Sequence, residues 1–375
     1  MKLIRVSQSD LNHREIFALA KVLKRNHLGM GPVVQKFENE LSRYFGSEAK
    51  CVSNGTAAIQ LALQALGIGN GDEVLVPSFT YIATFQAISA TGAVPIPCEI
   101  NEDSLQINLD MAQKRVTART KALIAVTYGG SLECLKPSWK FAQSNGIVNI
   151  IDAAHSFGSK LEANKYIDFC DVACFSFDGI KIITSGEGGC VTSSNSNLLN
   201  KISDLRLLGV IGDSIKRSQM KRSFSFNVEE QGWRYHMSDI NAAIGLVQLK
   251  KIEKFRYIRQ ELYSYYNEIL KDFSEIKIPS WNNNNLFAPF IYPVRIVTNV
   301  NKDKLIKSLL KKGIQTGIHY KPNHLLTKYQ TEYRLPITEI IFSQILTLPL
   351  HTKLSKKDVR YICNSLINEI RVNIE

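Results

Sequence analysis

Three short segments carry residues whose types and spacing could do chemistry. In Phe175-Ser176-Phe177-Asp178-Gly179-Ile180-Lys181, a lysine follows an apolar run and precedes the glycine-rich Gly186-Glu187-Gly188-Gly189. An amine withdrawn from water is costly unless it is paired, neutralised or used covalently, and a desolvated amine can form a Schiff base with an aldehyde. The same lysine could also simply end a strand at the surface. In Val148-Asn149-Ile150-Ile151-Asp152-Ala153-Ala154-His155, a largely β-branched run ends in an acid. That pattern fits a buried parallel strand with a carboxylate at the end where α/β sheets bind ligands, although an aspartate there could equally cap a helix. In Cys51-Val52-Ser53-Asn54-Gly55-Thr56-Ala57-Ala58, polar residues and a glycine lead into an alanine- and leucine-rich helix. Free N–H groups and the positive dipole end suit such a start to a phosphate, and an ordinary capped helix would look the same.

Together the segments supply an amine, an acid and a phosphate anchor. Pyridoxal 5'-phosphate needs all three: a lysine for its aldehyde, a carboxylate for its ring nitrogen and a helix start for its phosphate.

The elements that must position these residues follow from periodicity. Apolar runs at 73–76, 94–98, 122–127, 148–151 and 172–177 alternate with helical stretches, which predicts a largely parallel sheet covered by helices. Residues 188–192 read as a further strand, and residues 1–25 as a helical lead-in. Residues 196–236 are polar and basic with few periodic signals. Helices are predicted at 238–254, capped by Ser238, and from 257 to about 271. The turn-rich Ile278-Pro279-Ser280-Trp281-Asn282-Asn283-Asn284-Asn285 lies near the passage into a smaller part. That part is expected to hold strands near 290–297 and 314–319 and helices near 302–312 and 355–369. The expected division is a large cofactor-binding domain over 1–255 and a small C-terminal α+β domain over 256–375.

The 375 residues carry a formal charge of +12, but the basic residues form only short clusters such as Lys216-Arg217, Lys221-Arg222 and Lys250-Lys251. These read as solvated faces, so no nucleic-acid partner is expected; a positive field would suit a diphosphate. The seven cysteines lack metal-ligand spacing, and free thiols in a reducing cytoplasm are expected, with no metal. No apolar run approaches the roughly 20 residues that span a bilayer, and the N-terminus lacks a signal-peptide core, so no membrane partner is expected.

The chain resembles the DegT/StrS-type sugar-nucleotide aminotransferases, of fold type I among pyridoxal phosphate enzymes. The resemblance runs through Gly29-Met30-Gly31-Pro32, Ser53-Asn54-Gly55-Thr56-Ala57-Ala58 and Pro77-Ser78-Phe79-Thr80-Tyr81-Ile82-Ala83-Thr84. It continues in Asp152-Ala153-Ala154-His155, Lys181, Gly186-Glu187-Gly188-Gly189, Gly232-Trp233-Arg234-Tyr235-His236-Met237-Ser238, Gly317-Ile318-His319-Tyr320 and Leu348-Pro349-Leu350-His351.

The resemblance implies an α/β fold with a mostly parallel mixed sheet in the large domain. It makes Lys181 the Schiff-base lysine and proton carrier and Asp152 the partner of the ring nitrogen. It places Tyr81 on the ring face, His155 beside the cofactor, and Gly55, Thr56 and Ser176 on the phosphate. Residues 232–238 match a loop that reaches the partner's site in a homodimer, where Arg234 stands in place of a frequent Asn and would meet a phosphate or the substrate diphosphate. His319 and Tyr320 fall near the sugar. Cys170 replaces a frequent Gly, with a packing change expected there. The implied reaction passes an amino group from L-glutamate, through pyridoxamine phosphate, to a nucleotide-linked 4-keto-6-deoxyhexose in surface polysaccharide (O-antigen) biosynthesis. A 3-keto acceptor is the alternative. A sugar 3-dehydratase of the same fold would carry His in place of Lys181, and a non-catalytic regulator or scaffold would need neither Lys181 nor Asp152.

Overall fold

The computed structural model describes residues 3–162, 165–213, 216, 219–221, 225–281 and 286–372. Residues 282–285 of the expected passage between domains, and Arg217 and Arg222 of the basic clusters, lie outside these.

Seven strands form the main sheet: β1 (Ala49–Val52), β2 (Glu73–Pro77), β3 (Val94–Cys98), β4 (Thr120–Val126), β5 (Val148–Asp152), β6 (Val172–Ser176) and β7 (Gly189–Thr192). Their order is β1-β7-β6-β5-β4-β2-β3. The pairs from β3 to β6 are parallel, and β7 alone runs against its neighbours β6 and β1. Side chains alternate across the pleat: Leu75, Leu123, Ile151 and Phe175 enter one core, while Val74, Val76, Ile124, Ile150 and Val172 enter another. Both faces are covered, as a parallel sheet requires. Helices Pro32–Phe45 and Gly55–Ala65 pack on opposite faces, Phe37 meeting Phe177 on one and Ile59, Leu61 and Ala62 lying in the other core. Each such buried Val, Leu, Ile or Phe side chain contributes about 1.5–3 kcal/mol of transfer free energy.

The reversal at β7 matters for the site. Residues 177–188 must turn back over the carboxyl ends of the parallel strands before pairing resumes. Phe177 N–H donates to Gly188 O at 2.7 Å and Ser185 N–H to Phe177 O at 2.9 Å, which closes the turn that carries Lys181.

A second sheet of β8 (Ile276–Lys277), β9 (Tyr292–Ile296) and β10 (Ile345–Leu348) is antiparallel in the order β10-β9-β8. Helices Lys302–Lys311, Pro336–Gln344 and Lys356–Val372 lie in the same part of the chain. No helix among the described residues is long and apolar enough to cross a membrane.

Some expected elements differ. The helix expected over 238–254 stops at Leu249, and the next, Ile252–Leu270, starts at once. At the junction, Gln248 Nε2 and Lys251 Nζ both donate to the Glu15 carboxylate. The strand expected at 314–319 is absent as a ladder. Ile314 bridges Ile4 and Gly317 bridges Thr347, so the segment crosses between two partners and follows neither. Strands β1 and β10 and helices Ser196–Leu205 and Pro336–Gln344 had no distinct signal. Cys170 is buried, its thiol 3.4 Å from Tyr166 O.

Candidate active site

Asp152 ends β5 with its carboxylate buried. The Thr84 hydroxyl donates to Oδ2 at 2.8 Å and Ala154 N–H to Oδ1 at 3.2 Å. Burial pushes its pKa up; the two hydrogen bonds and the Lys181 charge pull the other way. The group is a carboxylate kept from water with incomplete compensation, which favours a cationic partner.

Lys181 faces the same space. Burial lowers its pKa from 10.5 to about 8, against the pull of Asp152 and Asp178. Its Nζ lies 4.5 Å from the centroid of the Phe290 ring.

Asn54 caps helix Gly55–Ala65 by accepting from Ala57 N–H at 2.8 Å, which leaves the Gly55 and Thr56 N–H groups in the first turn without an intrahelical acceptor. A Cβ on Gly55 would stand 2.8 Å from Ser176 Cβ, so glycine is what lets the helix start sit against the end of β6. Tyr81 caps helix Ile82–Ala90 and is 57% exposed, an open aromatic ring 5.6 Å from that of Tyr320.

His155 accepts from Gly129 N–H at Nδ1 (3.3 Å), since a backbone N–H can only donate. Its Nε2 must then carry the proton and donate to Tyr320 Oη at 2.8 Å. Burial, with Lys181 and His319 nearby, holds its pKa well below 6.5, so the ring is neutral. His319 Nδ1 lies 2.9 Å from the Thr347 hydroxyl, its carbonyl accepts from Tyr128 Oη, and burial lowers its pKa to about 4.

One cavity of about 690 Å³ joins these groups. Lys181, Asp152 and His155 line it together with Gly55, Thr56, Ser176, Tyr81, His319 and Tyr320. Of the site residues expected from sequence, Arg234 alone is not in this lining; its backbone bridges Leu207.

Pyridoxal phosphate fits this donor set. The only partly compensated Asp152 suits a protonated ring nitrogen, the Gly55–Thr56 helix start with the Ser176 side chain suits a phosphate, and the Lys181 amine suits an aldehyde.

The model of the DegT/DnrJ/EryC1/StrS aminotransferase family matches residues 9–367. The chain belongs to that family. An uncharacterized protein of Methanocaldococcus jannaschii is 33% identical over 365 residues, 95% of each chain. The aminotransferase TlmJ of Streptoalloteichus hindustanus superposes with a TM-score of 0.91 at 28% identity, over 99% of both chains. Spr1654 of Streptococcus pneumoniae, provisionally designated a sugar aminotransferase, is 27% identical with a TM-score of 0.89 over 99% of both chains in its PLP form, and it is also solved in a PMP form. This DegT-family chain is therefore an aminotransferase of fold type I, and its cofactor is pyridoxal phosphate.

Sequence reasoning missed several residues that shape the site. Thr84 orients Asp152 from within a quoted motif. Gly129 has φ +68°, and a Cβ there would stand 1.9 Å from Trp281 Cη2. Its N–H reaches His155 while its carbonyl accepts from Phe290 N–H at 2.9 Å. The pair Gly129-Gly130 after an apolar run was the available signal. Asp178 and Glu187 lie in the run around Lys181 without having been singled out, and Phe290 had no signal that pointed to Lys181.

Proposed function

We propose that this enzyme transfers an amino group from L-glutamate to the keto carbon of a nucleotide-linked 4-keto-6-deoxyhexose, in surface polysaccharide biosynthesis. The observation that carries the reading is the presence in one cavity of Lys181, biased by burial toward the neutral amine, and of Asp152, a buried carboxylate that favours a cationic partner.

Bound pyridoxal phosphate supplies an electron sink for the pair left when the C–H bond beside the amino group breaks. Asp152 would keep a proton on the ring nitrogen, and Thr84 fixes that carboxylate. Lys181 Nζ, freed from the cofactor, would accept and return the proton that moves during amino transfer, for the donor and then for the sugar. With a pKa of about 8, about a tenth of the amine is neutral at pH 7, against roughly one part in three thousand for an ordinary lysine. Gly55, Thr56 and Ser176 would hold the phosphate and Tyr81 would cover the ring, with neutral His155, tied to Tyr320, beside it. His319 and Tyr320 border the sugar.

The cavity's own charges support a homodimer with shared sites. Among its described lining, Lys181 is the single Lys or Arg, beside Asp152, Asp178 and Glu187. A phosphate, a dicarboxylic donor and a diphosphate call for more cations than that, and Arg234, turned to a partner's cavity, would add one. A large domain over 1–255 and a small one over 256–375 would close on the cavity from two sides.

Visible absorption of the purified protein tests the reading. A Schiff-base band should give way to a pyridoxamine-type band on adding L-glutamate, and keto-sugar nucleotides should restore it. A chain with no such band after incubation with pyridoxal phosphate would refute the enzyme reading. Screening 3-keto acceptors addresses the alternative, while Lys181 itself disfavours the dehydratase. A cellular phenotype unchanged by Lys181→Ala would leave a scaffold.

A further inference from the structure

Phe290 lies two residues before β9, buried and held from two directions. Its N–H donates to Gly129 O at 2.9 Å. Its carbonyl accepts from Arg259 Nη1 at 3.1 Å, which also reaches Pro289 O at 3.3 Å and Leu350 O at 3.1 Å. Arg259 is itself buried, with its pKa lowered to about 10 by burial and no carboxylate paired with it among the described residues. One guanidinium therefore pins helix Ile252–Leu270, the strand entering β9 and the turn after β10 to one another. The ring so fixed lies 4.4 Å from the His155 ring, tilted 39°, and 4.5 Å from Lys181 Nζ.

Among the described residues no oxygen accepts a hydrogen bond from Lys181 Nζ, and no carboxylate pairs with it within 4 Å. An aromatic face attracts an ammonium and is indifferent to a neutral amine. It does so more weakly than a carboxylate in contact, which would hold the proton too firmly to release it.

We propose that the face of Phe290 is the seat of the Lys181 ε-ammonium whenever that amine is not bonded to the cofactor, and that contact with the ring raises its proton affinity. Arg259 acts on Lys181 only through the ring and is a positioning residue. The inference rests on Lys181 being the reacting amine, as proposed above, but the contact itself is measured without turnover. A correct seat and a failed amino transfer are therefore distinguishable.

The test is the pH dependence of Lys181 acetylation by a trace of acetic anhydride. The full-length chain is used, free of cofactor and again loaded with pyridoxamine phosphate, with the Lys181 peptide read by mass spectrometry. The cofactor-free parent should show a midpoint near pH 8. Phe290→Leu should lower it by about half to one unit in both states, since cation–π contacts of this depth are worth about that much. Phe290→Tyr, which keeps the ring, should match the parent. A Phe290→Leu midpoint equal to the parent's, with or without a lower melting temperature, would overturn the proposal, as would equal shifts in Leu and Tyr. Should Phe290→Leu not fold, a trifluorinated phenylalanine at position 290 keeps the shape and weakens the ring's field. It should give the same downward shift, and an unchanged midpoint would overturn the proposal.

Discussion

Lys181→Met should make the cofactor-free protein more stable at pH 7 while abolishing amino transfer. The lysine's folded pKa of about 8 lies below its ordinary 10.5. Below pH 8 both the folded and unfolded chains hold the proton, and the folded state bears the full burial penalty. Between about 8 and 10.5 the folded chain has released it while the unfolded chain keeps it, so stability rises with pH through that window; above it the penalty is gone. A gap of about 2.5 units corresponds to about 3 kcal/mol. The cavity admits water to part of the side chain, and Asp152 loses a favourable cation in the variant, so the expected gain is about 1–2 kcal/mol. Methionine keeps the length and apolar stem of lysine, so no new cavity opens. Urea unfolding of parent and variant, both stripped of cofactor, at pH 7, 8.5 and 10 reads the difference directly. The gain should be largest at pH 7 and shrink toward pH 10. A variant no more stable than the parent at pH 7, or a gain that ignores pH, would refute the reasoning that burial depresses this amine.

Asp152→Asn should fold, load cofactor weakly and lose about 100-fold or more in kcat, the usual scale for removing a preorganised charge; absorbance titration with pyridoxal phosphate and steady-state rates check it. Gly129→Ala should cost more than about 2 kcal/mol, because the backbone is left-handed there and Trp281 fills the space, with a lowered melting temperature as the readout. The folded pKa of His319, about 4, lies below 6.5. Between those values the unfolded chain binds a proton that the folded chain does not, so stability falls as pH drops through the window. His319→Asn should flatten that part of the urea-unfolding pH profile, and an unchanged slope would count against the burial of His319.

The reactive groups were legible because each sits in a local pattern that physics constrains tightly. Asp152 ends a β-branched run, Lys181 stands before a glycine turn, and Gly55 opens a helix. The apolar runs gave β2 to β7 within one or two residues, since most of their residues are buried. Short elements escaped it. The four residues of β1 and of β10 are too few to show a period, and the segment at 314–319 has the apolar content of a strand but divides its pairing between Ile4 and Thr347.

What stayed hidden was the surroundings that tune those groups. Phe290 is 109 positions from Lys181 in a segment whose apolar residues all look alike as core. Only the meeting of β9 with the turn after β4 brings its face under the amine, and only a buried arginine from helix Ile252–Leu270 fixes it there. Local sequence thus names the acid and the amine, whereas their pKa values are properties of burial and of partners set by long-range contacts. Variants of Arg259 or Gly129, which touch no reacting atom, should therefore shift the pH profile of the reaction, whereas changes at exposed Tyr257 should leave it where it is.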